Sequence, residues 1–125
     1  MNKLSIIVPV YNDENNIENA INSLLDQSVL VDIIVIDDGS TDNTGDIVNK
    51  IKKKHKNIHY FKKKNSGIAD ARNFGVSKVK TKYFGFLDSD DVCREDMAEK
   101  MLMVYNCLAW SIEEKNLYSE CPILG

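Results

Sequence analysis

Cysteine is scarce in this chain. Cys93, Cys107 and Cys121 are its only three, widely spaced and without a Cys-x-x-Cys pair, which argues against a disulfide framework and a zinc site and predicts reduced thiols. No stretch approaches the roughly 18 consecutive apolar residues of a membrane-spanning helix. Met1-Asn2-Lys3 leads straight into a strand pattern instead of a signal peptide. The expected location is therefore cytoplasmic, free or peripheral to the inner face of the membrane. An excess of charge of one sign is also missing: 16 Lys and Arg against 19 Asp and Glu leave −3, so no nucleic-acid partner is expected. Glycine-rich phosphate loops are absent too. Where a Gly-x-Gly-x-x-Gly turn would follow the first strand the chain has Tyr11-Asn12-Asp13-Glu14, and no Gly-Lys-Ser/Thr loop occurs anywhere, so a glycine cradle is not the main anion-binding device.

What is present fits one domain. In 125 residues, 43% apolar and 28% charged, there is room for a core with four or five strands. Leu4 to Val10 is a continuous apolar, β-branched run, the pattern of a strand covered on both faces. From Asn15 to Gln27, Ile17, Ala20, Ile21, Leu24 and Leu25 recur at helical spacing behind Asp13 and Glu14. Val31 to Ile36 reads as a second buried strand, followed by the turn Asp37 to Asp42 and a helix with Ile47, Val48 and Ile51 on its apolar face. Seven lysines between Lys52 and Lys64 surround a short strand containing Ile58, Tyr60 and Phe61; most belong to a solvated face, with one or two near Lys64 placed to assist an anionic ligand. Ile68 to Lys78 predicts a helix whose Ala71 and Gly75, with Val79 beyond, permit close packing on a sheet. Tyr83 to Leu87 reads as a buried strand and Glu95 to Leu108 as a further helix, with no clear period from Ala109 onward and an unstructured end at Glu120-Cys121-Pro122. There is no repeat, linker or low-complexity segment. Strands alternating with helices predict an α/β three-layer α/β/α sandwich with a mainly parallel sheet.

Asp88-Ser89-Asp90-Asp91 follows the Tyr83 to Leu87 run directly. Three carboxylates in so short a turn repel one another unless a cation, hydrogen bonds or water compensates. An oxygen-rich cluster at the carboxyl edge of an open α/β sheet suits Mg²⁺ or Mn²⁺ and, through the cation, a diphosphate. Alone, the turn reads equally well as a solvated helix cap. Tyr11 is placed to stack on a base or to pack; Asp38 to accept a bond from a base N–H or ribose hydroxyl, or to cap a turn. Arg72 either braces the acidic loops or salt-bridges on the surface. His55 and His59 are expected to be surface residues. A nucleotidyltransferase is disfavoured because it would show a glycine- and basic-rich loop after the first strand.

Five blocks carry a resemblance to glycosyltransferase family 2: Ser5 to Asn12; Gln27; Val35 to Asp42; Asn65-Ser66-Gly67 leading to Ala71 to Gly75; and Phe86 to Asp91. The resemblance covers about residues 3 to 106 and implies a GT-A-type (Rossmann-like) fold, a nucleotide-sugar donor, usually a UDP-sugar, and inverting transfer to an acceptor hydroxyl on a glycan or lipid-linked glycan, as in cell-surface polysaccharide synthesis. It implies nucleotide-sugar binding by Pro9, Tyr11, Asp38, Gly67, Arg72, Asp88 and Ser89. Asp88-Ser89-Asp90 becomes the family's Asp-x-Asp motif, with Asp90 and Asp88 as ligands of Mn²⁺ or Mg²⁺. On this basis residues 1–108 are expected to form the donor-binding half of the family's domain and 109–125 a divergent tail. No catalytic base is identified; it is expected in a missing acceptor half, whose loss would expose apolar surface and favour self-association. The alternative is a non-catalytic nucleotide-binding fragment or truncated gene product. Low Arg against Lys, with many Asn and Ile, suggests an AT-rich bacterial coding sequence.

Overall fold

β1, Leu4–Val10, is buried at every position, the burial expected of a strand with a helix layer on each face. In the computed structural model, which describes the backbone of residues 2–114 and the side chains of residues 2–106, β1 lies second from the edge of a four-stranded sheet of order β3-β2-β1-β4. β2 is Asp32–Asp37, β3 Ile58–Lys62 and β4 Tyr83–Phe86. All three pairings are parallel, with Ile7 opposite both Ile34 and Phe86.

The helices follow from the direction in which the chain steps across the sheet. α1, Ile17–Leu25, joins β1 to β2, and α2, Thr44–Lys52, joins β2 to β3, both stepping the same way. α3, Ile68–Ser77, then carries the chain back to β4 on the far side of β1. A right-handed crossover taken in the reverse direction places its helix on the opposite face. The core divides accordingly. Leu4, Ile6, Val8 and Val10 pack with α1, with Val48 of α2 and with Ala98 of α4, Met97–Glu114. Ile7, Ile34 and Ile36 pack under Ala71 of α3, with Phe61, Phe74 and Val79 beside them. This is the three-layer α/β/α arrangement expected from the alternating pattern.

Several boundaries differ from the sequence expectation. α1 begins at Ile17 because the Asp13 carbonyl already accepts the N–H groups of Asn16 and Ile17 in a tight turn. Gln27 lies beyond that helix and staples it to α4: its Nε2 donates to the Ser23 and Arg94 carbonyls, and its Oε1 accepts the Ala98 N–H. α4 runs past Leu108 to Glu114. The expectation for Glu120 to Pro122 lies outside the described residues. The largest correction concerns β4, which among the described residues is an edge strand: Phe84 and Phe86 are exposed, whereas Gly85 and, just beyond the strand, Leu87 are buried and Tyr83 packs partly buried against the core. An apolar run does not reveal which strand has a second neighbour.

Gly75 shows why small residues line α3. A Cβ there would stand 2.4 Å from Ile7 Cγ2 and 3.2 Å from Ile36 Cγ1. Gly75→Ala is therefore expected to destabilise the domain by about 1–2 kcal/mol, the overpacking exceeding the better helix propensity of alanine. Urea unfolding checks this; an unchanged or higher midpoint would refute the close contact.

Candidate functional site

At the carboxyl edge of the sheet the strand order reverses at β1: its neighbour β2 is reached through α1 on one face and its neighbour β4 through α3 on the other. Such a switch point opens a crevice between diverging loops. Here it is a cavity of about 620 Å³ lined by Pro9, Tyr11, Asp13, Asp38, Asn65, Gly67, Arg72, Asp88, Ser89 and Asp90, among others. Every nucleotide-sugar and metal residue expected from sequence lines this one cavity, and Asp38 and Asp90 share the same sheet edge.

The loops after β1 and β2 are knitted together. Asn12, in the left-handed region at φ 47° that asparagine tolerates, accepts the Thr41 and Asp42 N–H groups through its Oδ1 and donates its own N–H to Ser40 Oγ. The Asp13 N–H bonds Thr44 Oγ1 and the Glu14 N–H bonds Asp42 Oδ2. Below them Asp37 is fully buried: it accepts the Ser40 N–H at 2.8 Å and the Tyr60 hydroxyl at 2.5 Å. Burial, reinforced by the Asp37 carboxylate, pushes the Tyr60 hydroxyl pKa far above its ordinary value. Tyr11 projects from this braced base, half exposed, into the cavity.

Asp38 organises the third loop. Its Oδ1 accepts from Lys63 Nζ at 2.8 Å and the Ser66 N–H at 3.0 Å, and its Oδ2 accepts the Gly67 N–H at 2.9 Å. Burial raises the pKa of such a carboxyl, but the Lys63 bond and the two backbone donors outweigh it, so the group is held below the usual carboxylate range. The lysine turned toward the site is thus Lys63, half-buried, while Lys64 is exposed. Gly67, at φ 105°, takes the positive φ that glycine alone adopts freely and starts α3. One turn into α3, Arg72 Nη2 reaches Asp88 Oδ1 at 3.4 Å, and its guanidinium lies 6.0 Å from the Phe86 ring centroid. The ion pair is long and about half exposed on both sides, so it braces the acidic turn only weakly.

The acidic turn is anchored from below. Ser89 lines the cavity, but its hydroxyl donates to Asp13 Oδ2 at 2.6 Å, which ties the turn to the loop after β1. Asp91 closes the turn by donating its N–H to the Asp88 carbonyl. Asp88, Asp90 and Asp91 are exposed, and each can present an oxygen within 4.8 Å of the others. That donor set, all carboxylate and open to water, fits a hard divalent cation that keeps some of its hydration shell. Three residues escaped the sequence reading: Asp13 and Lys63 as partners of Ser89 and Asp38, and Asp37 as the buried brace. Their partners lie across loops and leave no periodic signal. His55 and His59 lie outside the cavity.

Comparison with known proteins follows from this geometry. The model for Glycosyl transferase family 2 matches residues 5–106. A Haemophilus influenzae protein named an uncharacterized glycosyltransferase is 45% identical over 126 residues, covering 98% of this chain and 49% of its own length. A Rickettsia felis protein with the same designation is 48% identical over 101 residues, covering 80% of this chain and 17% of its own length. The crystal structure of S. aureus TarS 1-349 in complex with UDP matches with a TM-score of 0.76 at 31% identity, over 85% of this chain and 33% of that one. The chain spans about half or less of each of these proteins.

Proposed function

Since the chain belongs to glycosyl transferase family 2 and has the GT-A-like fold of its structural neighbours, we propose that it binds the nucleoside diphosphate of a UDP-sugar for inverting transfer to an acceptor hydroxyl of a glycan. The observation that carries this reading is the convergence of Tyr11, Asp38, Arg72 and the Asp88 to Asp90 turn on one cavity at the switch point of the sheet. TarS, which has been crystallised with UDP and with UDP-GlcNAc, supports the choice of donor. Tyr11 offers a half-exposed ring to a base. Asp38, with three of its acceptor positions occupied, keeps one for a base N–H or ribose hydroxyl and orients Gly67. Arg72 is a cation within reach of the acidic turn and of a phosphate beside it.

Asp90 and Asp88 would hold Mg²⁺ or Mn²⁺, with Asp91 adjacent. When bound, the cation supplies positive charge that offsets repulsion between carboxylates and diphosphate and stabilises the leaving group. UDP is accordingly expected to bind weakly, and only with Mn²⁺ or Mg²⁺ present. Calorimetry of the 125-residue chain with UDP, with and without Mn²⁺, tests this; equal affinity without metal would defeat it.

A second reading, donor binding without transfer by these residues alone, is favoured by one feature. The cavity carboxylates outside the acidic turn are engaged, Asp13 by Ser89 and Asn16, and Asp38 by Lys63 and two backbone N–H groups. An acceptor hydroxyl needs a free base within hydrogen-bond reach, commonly worth on the order of 10²–10⁴ in rate. The chain by itself is expected to hydrolyse UDP-sugar slowly at most. Multiple-turnover transfer from labelled UDP-sugars to acceptor glycans would show that one of these carboxylates serves as the base.

A further inference from the structure

One wall of the cavity is formed by Asp38, Asn65 and Gly67 and, one turn into α3, by Arg72. These residues meet at the connection between β3 and α3, and the side chain that gathers them belongs to Lys63, which does not itself line the cavity. In the pairing of β2 with β3, Asp37 lies opposite Lys62, and the Lys63 N–H extends the ladder by bonding the Asp37 carbonyl at 2.9 Å. Asp38 and Lys63 are the next residues along the two segments. Successive side chains of a strand point to opposite faces. Ile36 and Phe61 pack on the α3 face, so Asp38 and Lys63, two residues beyond each, emerge together on that face, while Lys62 and Lys64 are exposed.

There the Lys63 ammonium is saturated. It bonds Asp38 Oδ1 at 2.8 Å, the Lys64 carbonyl at 2.9 Å and the Ser66 hydroxyl, which uses all the donors an ammonium has. None is left for a phosphate, and the side chain is only 16% exposed. The same arrangement nearly fills Asp38. Of the roughly four acceptor positions of a carboxylate, those of Oδ1 go to Lys63 and the Ser66 N–H, and Oδ2 accepts the Gly67 N–H. One position remains, on Oδ2.

The connection is also held tightly against the turn after β2. A Cβ on Gly39 would stand 2.9 Å from the Asn65 nitrogen and 3.3 Å from the Lys63 carbonyl oxygen. For stability alone an ion pair in such a place contributes little net, because desolvation of both charges offsets their attraction. What it fixes is direction: which way the Asp38 carboxylate faces, and where Gly67 starts α3.

We propose that Lys63 is a positioning residue of the nucleotide site, acting on donor binding through Asp38 and the Asn65 to Gly67 connection and touching no part of the donor. The inference rests on the reading of the cavity as a nucleoside diphosphate site. Without the ammonium, Asp38 Oδ1 is free to turn toward water and the Ser66 hydroxyl loses its tie, so the remaining Oδ2 acceptor no longer has a single orientation.

A double-mutant cycle on binding tests this, with amide NMR of the 125-residue chain titrated with UDP in the presence of Mg²⁺. Each spectrum reports both that the variant is folded and how tightly it binds. Lys63→Met is expected to weaken UDP binding about tenfold or more. In the Asp38→Asn background the same substitution should cost little further, since a residue that acts through Asp38 has nothing left to position. Should Lys63→Met fail to fold, the cycle is run with Lys63→Arg, which keeps the ion pair. Its planar fork cannot direct three donors from one nitrogen, so a loss of about threefold, again cancelled by Asp38→Asn, is expected. Equal losses in both backgrounds would show that the lysine acts on the diphosphate by its charge, and overturn the proposal. Wild-type binding that the folded Lys63 variant leaves intact overturns it alone, whereas a wild-type chain that binds no UDP with Mg²⁺ overturns the reading of the cavity and this inference with it.

Discussion

Asp90→Ala is expected to weaken Mn²⁺-dependent UDP binding by about 100-fold or more, since loss of even an indirect partner of a metal ligand commonly costs 10- to 100-fold. Asp90 is the member of the acidic cluster with the most direct claim on a cation. It lines the cavity and belongs to the carboxylate group, whereas Asp91 belongs to the group without lining the cavity, and Asp88 shares an oxygen with Arg72. The variant should fold as well as the parent, because the side chain is exposed and its removal relieves repulsion among neighbouring carboxylates. Calorimetry with UDP and Mn²⁺, beside thermal unfolding, separates the two effects. Unaltered affinity with unaltered folding would remove Asp90 from the site.

Asp38→Ala has the opposite signature, a loss of stability accompanying a loss of binding. It strips acceptors from Lys63, Ser66 and Gly67 at once and leaves the half-buried Lys63 ammonium without its carboxylate. Lys63 can swing toward water, so the cost is about 2–3 kcal/mol, less than that of a fully enclosed pair. In a domain of this size that lowers Tm by roughly 10 °C. The pH dependence adds a second readout. The Asp38 carboxyl titrates below its ordinary value in the folded state. Its stabilisation is therefore complete above the unfolded value, near pH 4, and is lost as pH falls through the lower folded value. Asp42 is held low as well, against burial, by its bonds from Thr44 and a neighbouring backbone N–H, and contributes in the same window. The difference between wild type and Asp38→Ala should thus be constant from neutral pH down to about pH 4 and shrink below it. A difference unchanged across that window would mean that Asp38 is not the anchor of the Asn65 to Gly67 loop.

The parts of this architecture that repeat along the chain were legible before any coordinates. β1 and β2 announce themselves because a strand covered on both faces must be apolar at successive positions, and α1 because its buried residues recur at helical spacing. The acidic turn was legible for a related reason: it follows a strand directly, and parallel strands deliver their carboxyl ends to one edge. Contacts that join distant loops were not. Ser89 and Asp13, or Asp38 and Lys63, are single polar residues whose pairing follows from the three-dimensional crossing of connections, and Lys63 is indistinguishable in sequence from the lysines around it. The exposure of Phe84 and Phe86 was hidden too, because an edge strand and an interior strand share the same short apolar run until the strand order is known.

The central claim is that the crevice between β1 and β4 receives a nucleoside diphosphate through a cation at the acidic turn. Amide NMR of the chain titrated with UDP in the presence of Mg²⁺ tests it most directly. Shifts concentrated at Tyr11, Gly67 and the Asp88 to Asp90 turn, and absent when Mg²⁺ is withheld, are the predicted result. Shifts centred elsewhere on the molecule, or the same shifts without Mg²⁺, would contradict it.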